Sequence, residues 1–460
     1  MVAGDIPTPV EVIVLGGGPG GYTVAARAAA RGLDVVLVEQ ARVGGVCLNV
    51  GCIPSKALIT AGHDLVRARQ RFGDAPSVDW SVVQSWKDSV VSTLVGGVRQ
   101  MLSRVRVVEG TGRLLDGNRV AVEMPDHAEH FRFQHCVLAT GSRPVELANL
   151  PVDGTRIVDS TGALALAAVP EHLVVVGGGY IGMELGMAYA AFGSRVTVIE
   201  ATDTVLAGFD KELVKAVTMR AAAIGITIAT CAAADHMDGA DLVLRDGARH
   251  RADIVLVAVG RRPNTDDLQL EDAGLHTRAD GLLDVDDQCR TANRSISAIG
   301  DITPGPALAH KATAQAHVVA AALAGDTSSF DQLVPLVAFT DPELAAVGLT
   351  EAEARATGRR VVVGRARFSR SGRALTLDAP DGVVKLIADA DTHILLGLHV
   401  AGSNASELIN EGVLALEMAA RLEDVAATVH PHPTLGESIA DAAHAALFTL
   451  TKRTTHEHIA

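Results

Sequence analysis

Cysteine is scarce in this chain, with only five among 460 residues: Cys47, Cys52, Cys136, Cys231 and Cys289. A secreted disulfide scaffold of this size would need more, so that class is excluded. Basic residues are also few, with 40 Lys and Arg against 54 Asp and Glu, for a net charge of -14. This balance argues against a surface for nucleic acid or for an anionic membrane.

Targeting signals are missing as well. No basic segment precedes the first apolar run and no small-residue cleavage site follows it, which predicts no signal peptide. The most apolar stretch, 173–192, is interrupted by glycines and by Glu184, so it does not suit a membrane span. We therefore expect a cytoplasmic protein without a membrane or nucleic-acid partner, and its length predicts about three domains.

Glycine, in contrast, is abundant at 45 residues, and part of it lies in an internal duplication. The segments 10–39 and 172–200 share one plan: an apolar strand, a glycine turn, an alanine-rich or apolar helix, and a second strand. Such a turn lets the backbone approach a pyrophosphate at the N-terminus of the helix. We interpret both copies as dinucleotide-binding units and not as ordinary strand-to-helix turns. The turn glycines are Gly16, Gly18 and Gly21 in the first copy and Gly177, Gly179 and Gly182 in the second.

Each copy closes its second strand with an acid, Glu39 or Glu200. A carboxylate at this position can accept the hydroxyls of an adenosine ribose. Glu200 would also repel a 2′-phosphate, and residues 201–204 contain no Arg or Lys to receive one. The second unit is therefore predicted to bind NAD(H) and not NADP(H).

The remaining segments define the predicted architecture. Three more strands, in 136–144, 253–264 and 295–301, end in Gly or Asp, at the edge where open α/β sheets bind their ligands. Beyond residue 333 come three strands, 361–368, 382–389 and 393–402, and then a helix with an apolar stripe. We predict an α/β fold with two Rossmann-like dinucleotide-binding domains and a C-terminal α+β domain. Its parts are 1–147 and 265–332 for the first domain, 148–264 for the second and 333–460 for the third.

The segment GGVCLNVGCIPSK (44–56) carries the most specific chemistry. A regular helix would point Cys47 and Cys52 in different directions, so a bridge between them needs a distorted turn, which Gly51 permits. If a helix starts at Ile53, both sulfurs lie near its positive end, which favours the thiolate. We expect a pair that cycles between disulfide and dithiol. Buried structural thiols remain an alternative, and a zinc site is disfavoured because no second cysteine pair or Cys/His cluster completes it.

A second candidate lies at 430–438, in HPHPTLGES. His432 and Glu437 can form an imidazole-carboxylate pair in which the acid fixes the tautomer of the ring. A surface loop without function is the alternative. Nearby, His430 has no similar partner in the sequence and is interpreted as structural.

Together with ATG (139–141), GRRPN (260–264), AIGD (298–301) and AHK (309–311), these motifs give the chain a family resemblance. It resembles the pyridine nucleotide-disulfide oxidoreductases, most closely their dihydrolipoamide dehydrogenase branch, from about residue 10 to about residue 450. The resemblance implies FAD on the first unit, NAD on the second and a homodimer through the last domain. It also implies oxidation of protein-bound dihydrolipoamide with reduction of NAD+, and no metal. The lipoyl group would arrive on another chain, from the lipoyl domain and acyltransferase core of a 2-oxo acid dehydrogenase or glycine cleavage complex.

The resemblance also assigns roles to single residues. Cys47 would be the interchange thiol and Cys52 the thiol beside the flavin. His432, held by Glu437, would act as acid-base on the substrate of the partner subunit. Lys56 would pair with Glu184 near the reacting flavin nitrogen. The other implied cofactor contacts are Ala139, Thr140, Gly141, Gly260, Arg261, Asp301 and Ala309.

One residue departs from the commonest pattern of that branch. Tyr180 stands in the second glycine turn where many members carry a smaller aliphatic residue. It either covers the flavin and moves aside for nicotinamide, or simply fills the core. The departure keeps a glutathione reductase-like NADH-dependent reductase open as an alternative, although Glu200 opposes the NADP preference of that branch. A mercuric reductase would need a C-terminal cysteine pair, and no cysteine follows Cys289. The intact cysteine pair also argues against a non-enzymic flavoprotein subunit.

Overall fold

The computed structural model describes residues 6–73 and 78–457, with side chains as far as residue 452. Residues 1–5, which bear on the prediction of no signal peptide, lie outside this range. In the first third of the chain, a strand-helix-strand unit is followed by three helices and then by five strands. Its elements are β1 (Thr8–Leu15), α1 (Pro19–Ala30), β2 (Val35–Glu39), α2 (Gly45–Val50), α3 (Cys52–Phe72), α4 (Trp80–Met101), β3 (Arg106–Glu109), β4 (Thr111–Leu114), β5 (Arg119–Glu123), β6 (Ala128–Leu138) and β7 (Ser142–Pro144).

The middle of the chain repeats the same plan. Its elements are β8 (Ile157–Val158), α5 (Ser160–Leu164), β9 (His172–Val176), α6 (Tyr180–Ala191), β10 (Arg195–Ile199), α7 (Lys211–Ala223), β11 (Thr227–Ala229), β12 (Ala234–Asp238), β13 (Asp241–Leu244), β14 (Arg249–Arg251), β15 (Ile254–Val257) and β16 (Arg261–Pro263). The duplication found in the sequence therefore corresponds to two strand-turn-helix-strand units, β1-α1-β2 and β9-α6-β10.

The last third contains a return to the first domain and then the C-terminal module. Its elements are β17 (Ile296–Ala298), α8 (Ala309–Leu323), β18 (Leu336–Ala338), β19 (Leu344–Gly348), α9 (Glu351–Ala356), β20 (Val361–Arg367), α10 (Gly372–Thr376), β21 (Val383–Asp389), β22 (Leu395–Ala401), α11 (Ala405–Glu417), α12 (Leu422–Ala427) and α13 (Glu437–Glu457). Short 3₁₀ turns lie at Leu270–Ala273, Gly300–Ile302 and Phe368–Arg370.

Two sheets hold the predicted dinucleotide units, and β4 and β5 extend the first of them with antiparallel pairing. The first has the order β3-β2-β1-β6-β5-β4, with β17 parallel to β6, and β1 is buried because it pairs with β2 on one side and β6 on the other. The second is parallel throughout, in the order β11-β10-β9-β15-β8. Both place their glycine turns at the carboxyl edge of a central strand, where doubly wound folds bind ligands.

The C-terminal module is an antiparallel sheet, β18-β19-β22-β21-β20, covered by α11 and α13. The three strands and the helix stripe predicted beyond residue 333 are confirmed as β20, β21, β22 and α11. The predicted fold class is thereby confirmed. The sequence analysis did not predict the antiparallel strands β4 and β5, the small sheet β12-β13-β14 or the helical pair α3-α4.

One helical stretch, Gly45–Phe72, has the length and apolar composition of a membrane span, unlike the stretch 173–192 considered above. In the fold, this stretch packs against α6, where a Cβ on Gly62 would lie 3.0 Å from the Ala191 Cβ atom. It also contains both cysteines of the conspicuous pair. Part of its apolar surface therefore serves contacts within the protein: Leu58 is 1% exposed, whereas Val46 and Phe72 are exposed.

A buried ion cluster joins the second unit to the C-terminal module. The ammonium of Lys385, on β21, lies 2.8 Å from Asp210 at the start of α7 and 2.9 Å from Glu351 at the start of α9. Burial opposes the charge of this lysine, yet hydrogen bonds to the two carboxylates raise its pKa. Because Lys385 is only 4% exposed, its charge depends on these partners.

Replacing this lysine should weaken the joint. Lys385→Met should lower the free energy of unfolding by about 3 kcal/mol, because it leaves the buried carboxylate of Asp210 without its cation, whereas Glu351 keeps Arg355 and Arg365. Denaturant or thermal unfolding followed by circular dichroism measures the effect. Lys211→Met, which removes an exposed lysine of α7, is the control, and equal unfolding midpoints for the two variants would contradict the prediction.

Candidate active site

The first glycine turn has the shape that a dinucleotide requires. Gly16 adopts φ +104°, and a Cβ on it would lie 2.3 Å from the Ala139 carbonyl oxygen. A Cβ on Gly21 would lie 1.8 Å from the Gly16 carbonyl oxygen. The close approach of β1, α1 and β6 therefore excludes side chains at these positions, and backbone N–H groups at the start of α1 stay open to a phosphate.

A cavity of about 310 Å³ opens beside this turn. The Glu39 carboxylate on its wall accepts hydrogen bonds from the backbone N–H of Gly17 at 2.7 Å and of Ala41 at 2.8 Å. Each carboxylate oxygen keeps a free lone pair for a ligand hydroxyl. The chemistry of the cavity fits the adenosine part of a dinucleotide such as FAD. Other lining residues are Gly16, Thr140, Arg143, Asn264 and Asp266.

The second turn repeats the first in detail. Gly177 adopts φ +107°, and a Cβ on Gly182 would lie 2.1 Å from the Gly177 carbonyl oxygen. Glu200 accepts hydrogen bonds from the N–H of Gly178 at 2.7 Å and from both the N–H and the hydroxyl of Thr202 at 2.8 Å. Burial opposes the charge, but these bonds lower the pKa of Glu200. The carboxylate is thus held in the ionised form that favours a free ribose over a 2′-phosphate.

The remaining predicted cofactor residues surround the first turn. The Thr140 hydroxyl donates to the carbonyl oxygen of Asn264 at 2.7 Å, and Gly141 and Gly260 both adopt positive φ values. Asp301 accepts from the Ser142 hydroxyl at 2.6 Å, which in turn accepts from Arg261 at 2.7 Å. Ala309 is the first residue of α8.

The cysteine segment is fastened to the first glycine turn. The N–H of Gly44 donates to the Gly17 carbonyl oxygen at 2.8 Å, and a Cβ on Gly45 would lie 2.6 Å from the Gly18 Cα atom. The short helix α2 then ends at Gly51, whose φ of −142° and ψ of −110° break the helical path before α3 begins at Cys52. This break is the distorted turn predicted from the sequence. It brings the two sulfurs together at the start of α3.

The two thiols differ strongly in acidity. The hydrogen bond between them and the nearby Lys56 ammonium lower the pKa of Cys52 to about 7, against the effect of burial, and the same hydrogen bond raises the pKa of Cys47. Cys52 is therefore about half ionised at pH 7, while Cys47 holds its proton. Burial raises the pKa of Cys136, and it raises that of Cys289 to about 12. Cys231 is exposed in a turn after β11.

Lys56, on α3, joins three parts of the chain. Its ammonium lies 2.7 Å from Glu184 on α6, and it lies over the ring of Phe339 at 4.5 Å from the ring centre. The other Glu184 oxygen accepts from the backbone N–H of Phe339 at 2.9 Å. The predicted contact between Lys56 and Glu184 is thus present, with the carboxylate only 3% exposed.

Tyr180 lies beside this group as the first residue of α6. Burial raises its pKa to about 12, and its closest charged neighbours include Arg261, Asp301 and Cys52. The residue is nevertheless 37% exposed and belongs to none of the hydrophobic clusters of the described residues. Its position between the two dinucleotide turns and the cysteine pair does not suit a residue that simply fills the core.

The second candidate site lies in the loop between α12 and α13. The Nδ1 atom of His432 lies 2.9 Å from Glu437, the first residue of α13, as predicted. Hydrogen bonds from the Thr434 N–H and from His432 lower the pKa of Glu437. His432 itself is exposed, and the described hydrogen bonds and ion pairs link it to neither cysteine. We call the cysteine pair and the pair of His432 with Glu437 the two half-sites, because no described hydrogen bond or ion pair joins them within one chain.

The interpretation of His430 was wrong in one respect. Its Nε2 atom lies 3.0 Å from a carboxylate oxygen of Glu411, on α11, so it does have an acidic partner. The sequence pattern missed the pair because Glu411 lies 19 residues earlier, on α11, whereas His430 lies in the loop after α12. Two other contributors were also missed: Phe339, which no motif marks, and Ser142, which directly follows ATG. Among the described residues, no group of three or more His, Cys, Asp or Glu side chains could hold a metal ion.

Comparison with known proteins identifies the family. The model of the pyridine nucleotide-disulphide oxidoreductases matches residues 10–316, and the model of their dimerisation domain matches residues 334–443. The chain belongs to this family. The expected oxidoreductase activity and the expected cofactors, FAD and NAD(H), are thereby confirmed, and the dimerisation domain supports the predicted homodimer.

Curated relatives and solved structures agree with this assignment. The chain is 45% identical to a dihydrolipoyl dehydrogenase of Geobacillus stearothermophilus, covering 98% of both chains. It is 46% identical to dihydrolipoyl dehydrogenase 2 of Haloarcula marismortui, covering 97% of this chain and 98% of the other. Among solved structures, LpdA of Mycobacterium tuberculosis superposes with a TM-score of 0.89 at 28% identity, over 95% of this chain and 99% of that one. The HOCl-induced flavoprotein disulfide reductase RclA of Escherichia coli superposes with a TM-score of 0.86 at 27% identity, over 94% and 99%.

The acidity of Cys52 should depend on Lys56. In the two-electron-reduced wild type, the long-wavelength thiolate-flavin absorbance should appear as pH rises through about 7, because the pKa of Cys52 is about 7. Lys56→Gln should move that midpoint upward, since it removes a cation that favours the thiolate and leaves Glu184 to oppose it. Lys215→Gln, an exposed lysine of α7, is the control. An unchanged midpoint in Lys56→Gln would show that the ammonium does not act on Cys52.

Proposed function

We propose that this protein is a dihydrolipoyl dehydrogenase. It would oxidise protein-bound dihydrolipoamide to lipoamide and reduce NAD+ to NADH, with release of one proton, through a redox-active disulfide between Cys47 and Cys52. The observation that carries the proposal is the unequal cysteine pair, with the pKa of Cys52 lowered to about 7 and that of Cys47 raised. The near full-length similarity to curated dihydrolipoyl dehydrogenases supports the choice of dithiol.

The unequal thiols suit the two steps of disulfide exchange. A substrate thiolate attacks the Cys47 sulfur of the disulfide, and Cys52 leaves as a thiolate, which its low pKa favours. The second substrate sulfur then attacks the first, so that lipoamide forms and Cys47 leaves and takes up a proton. His432 takes the proton from the attacking substrate thiol, and Glu437 keeps the ring in the tautomer whose Nε2 can accept it.

The cofactor residues follow from the two turns. FAD would bind to the first unit through Gly16, Gly18, Gly21 and Glu39, with Asp301 near its ribityl chain. NAD would bind to the second through Gly177, Gly179, Gly182 and Glu200. Bound FAD supplies the electron carrier between the dithiol and the nicotinamide. Lys56, paired with Glu184, supplies a cation near the reacting ring, which stabilises negative charge that develops there. Ala139, Thr140, Gly141, Gly260, Arg261 and Ala309 would complete the contacts.

The two half-sites require a second subunit. We infer that His432 reaches the cysteine pair of the partner in a homodimer, because within one chain it is exposed and bound only by Glu437. The domain boundaries at 147, 264 and 332 remain part of this proposal. We also propose a cytoplasmic location. The substrate would be delivered within a complex, by the lipoyl domain and acyltransferase core of a 2-oxo acid dehydrogenase or glycine cleavage system.

A second candidate is an NADH-dependent reductase of another disulfide. The observation that favours it is Tyr180 in the second turn, together with the fold shared with the disulfide reductase RclA. This candidate keeps the same cysteines and cofactors and changes only the substrate. Substrate tests distinguish the two candidate functions, because the structure of the glycine turns is the same for both.

Anaerobic titration with dihydrolipoamide followed by NAD+ tests the proposal. Dihydrolipoamide should reduce the flavin of the purified holoenzyme, and NAD+ should then give NADH, followed at 340 nm. NADP+ should be a poor substitute because of Glu200. If NADH reduces the flavin and dihydrolipoamide does not, the substrate is another disulfide and the second candidate holds.

The acid-base role of His432 has its own test. His432→Gln should retain FAD and lower the rate of dihydrolipoamide oxidation by 10²-fold or more, since the substrate thiol loses its proton acceptor. Stopped-flow absorbance of flavin reduction by the dithiol measures the change. The rate of flavin reduction by NADH in the same variant is the internal control. Wild-type dithiol oxidation in this variant would remove His432 from the mechanism.

Tyr180 is proposed as a gate for the nicotinamide. If its ring must move before NAD(H) can bind, Tyr180→Ala should change the rate of flavin reduction by NADH several-fold, as gating residues do. Tyr180→Phe keeps the ring and should behave as the wild type. Equal hydride-transfer rates in all three proteins, measured by stopped flow, would contradict the gate.

A further inference from the structure

His430 is the inward-facing residue of the loop that carries His432. All residues from Ala427 to Pro433 except His430 are exposed, whereas the His430 side chain is only 9% exposed. The ring thus leaves the loop surface and packs toward α11. The sequence motif alone gives this histidine no task, because the function uses only His432 and Glu437.

Both nitrogens of the His430 ring face acceptors. Nε2 lies 3.0 Å and 3.2 Å from the two carboxylate oxygens of Glu411, and Nδ1 lies 2.9 Å from the carbonyl oxygen of Thr428. A ring proton on either nitrogen therefore has an acceptor within hydrogen-bond distance. These contacts join the loop to α11 through the side chain of Glu411.

The far end of the loop is held by other contacts. The Thr434 N–H donates to Glu437 at 2.8 Å, and the Thr434 hydroxyl donates to the Pro431 carbonyl oxygen at 2.7 Å. Leu435 is buried in the core of the C-terminal module. His432 therefore lies between two fixed points, and His430 provides the one on the N-terminal side.

We propose that His430 and Glu411 are a positioning pair for His432. By fixing the loop to α11, the pair keeps the His432 ring bonded to Glu437 and aimed away from its own chain, toward the substrate thiol. Neither residue touches the substrate or a cofactor. The inference rests on the proposed function for the identity of the dithiol, but the geometry of the loop does not depend on that identity.

The test uses His430→Gln, Glu411→Gln and the double variant, each as the FAD-loaded enzyme. His393→Gln is the matched control, because His393 also bonds a glutamate, Glu423 at the start of α12, and has no described hydrogen bond to residues 428–436. Two activities are compared in every protein: dihydrolipoamide oxidation by NAD+, which needs His432, and NADH oxidation by ferricyanide, which does not.

We expect both single variants to lower kcat for dihydrolipoamide oxidation about tenfold, since a misplaced catalytic group costs rate. Ferricyanide reduction should stay within twofold of the wild type, as should both activities of the control. The double variant should be no slower than the slower single variant, because the two residues act as one unit. Equal dithiol kcat in His430→Gln, Glu411→Gln and the control would overturn the proposal, as would a parallel loss of both activities.

A second measurement separates this inference from the proposed substrate. The rate at which diethyl pyrocarbonate modifies His432, followed by mass spectrometry of the holoenzyme, should fall several-fold in both single variants, because the ring loses the Glu437 bond that keeps the exposed Nε2 lone pair free and basic. It should stay unchanged in the control. If the wild type does not oxidise dihydrolipoamide, the proposed substrate is wrong. The rate of His432 modification still tests the positioning pair in that case. An unchanged modification rate then overturns the positioning pair.

Discussion

The ion pair between Lys56 and Glu184 is the contact on which the arrangement of the three parts depends. Glu184 is 3% exposed, and a charge so buried is stable only while it is fully partnered. Its partners come from two other places: the ammonium of Lys56 on α3 and the N–H of Phe339 beside β18. The carboxylate is thus satisfied only when the cysteine helix, the second unit and the C-terminal module meet. The same contact sets the cation near Cys52 and so links the assembly of the fold to the acidity of the thiol.

The two dinucleotide units share the same contact between a glutamate and the glycine turn, but they differ in the number of donors that hold the glutamate. In both, a glutamate at the end of the second strand accepts from the middle N–H of the glycine turn, at 2.7 Å. The second oxygen of Glu39 receives only a backbone N–H, from Ala41, whereas that of Glu200 also receives the Thr202 hydroxyl. Glu200 is therefore held by more donors than its counterpart, in the unit where the charge must reject a phosphate.

The features that the sequence could predict are those whose residues lie close together in the chain. The glycine turns, the break at Gly51 and the pair of His432 with Glu437 depend on residues close in the chain, so their patterns were sufficient. The contact of Lys56 with Glu184 was obtained only through the family resemblance. Phe339 and Glu411 could not be found, because their roles arise when distant elements pack and no local spacing marks them. The antiparallel strands β4 and β5 were missed for a related reason, since they extend the sheet without contributing a motif.

In the proposed site, each half-site must position its own reacting groups through contacts within its own chain. The cysteine half is fixed by the first glycine turn and by Lys56, next to the two sheets that hold the dinucleotide units. The histidine half lies on a loop, and loops hold a reacting group accurately only when surrounding contacts fix them. The bonds of Glu437, Thr434 and His430 supply such contacts from α13 and α11. In the proposed homodimer neither half completes the site alone, so subunit association would be part of catalysis, and the population of active sites would follow the population of dimers by mass action.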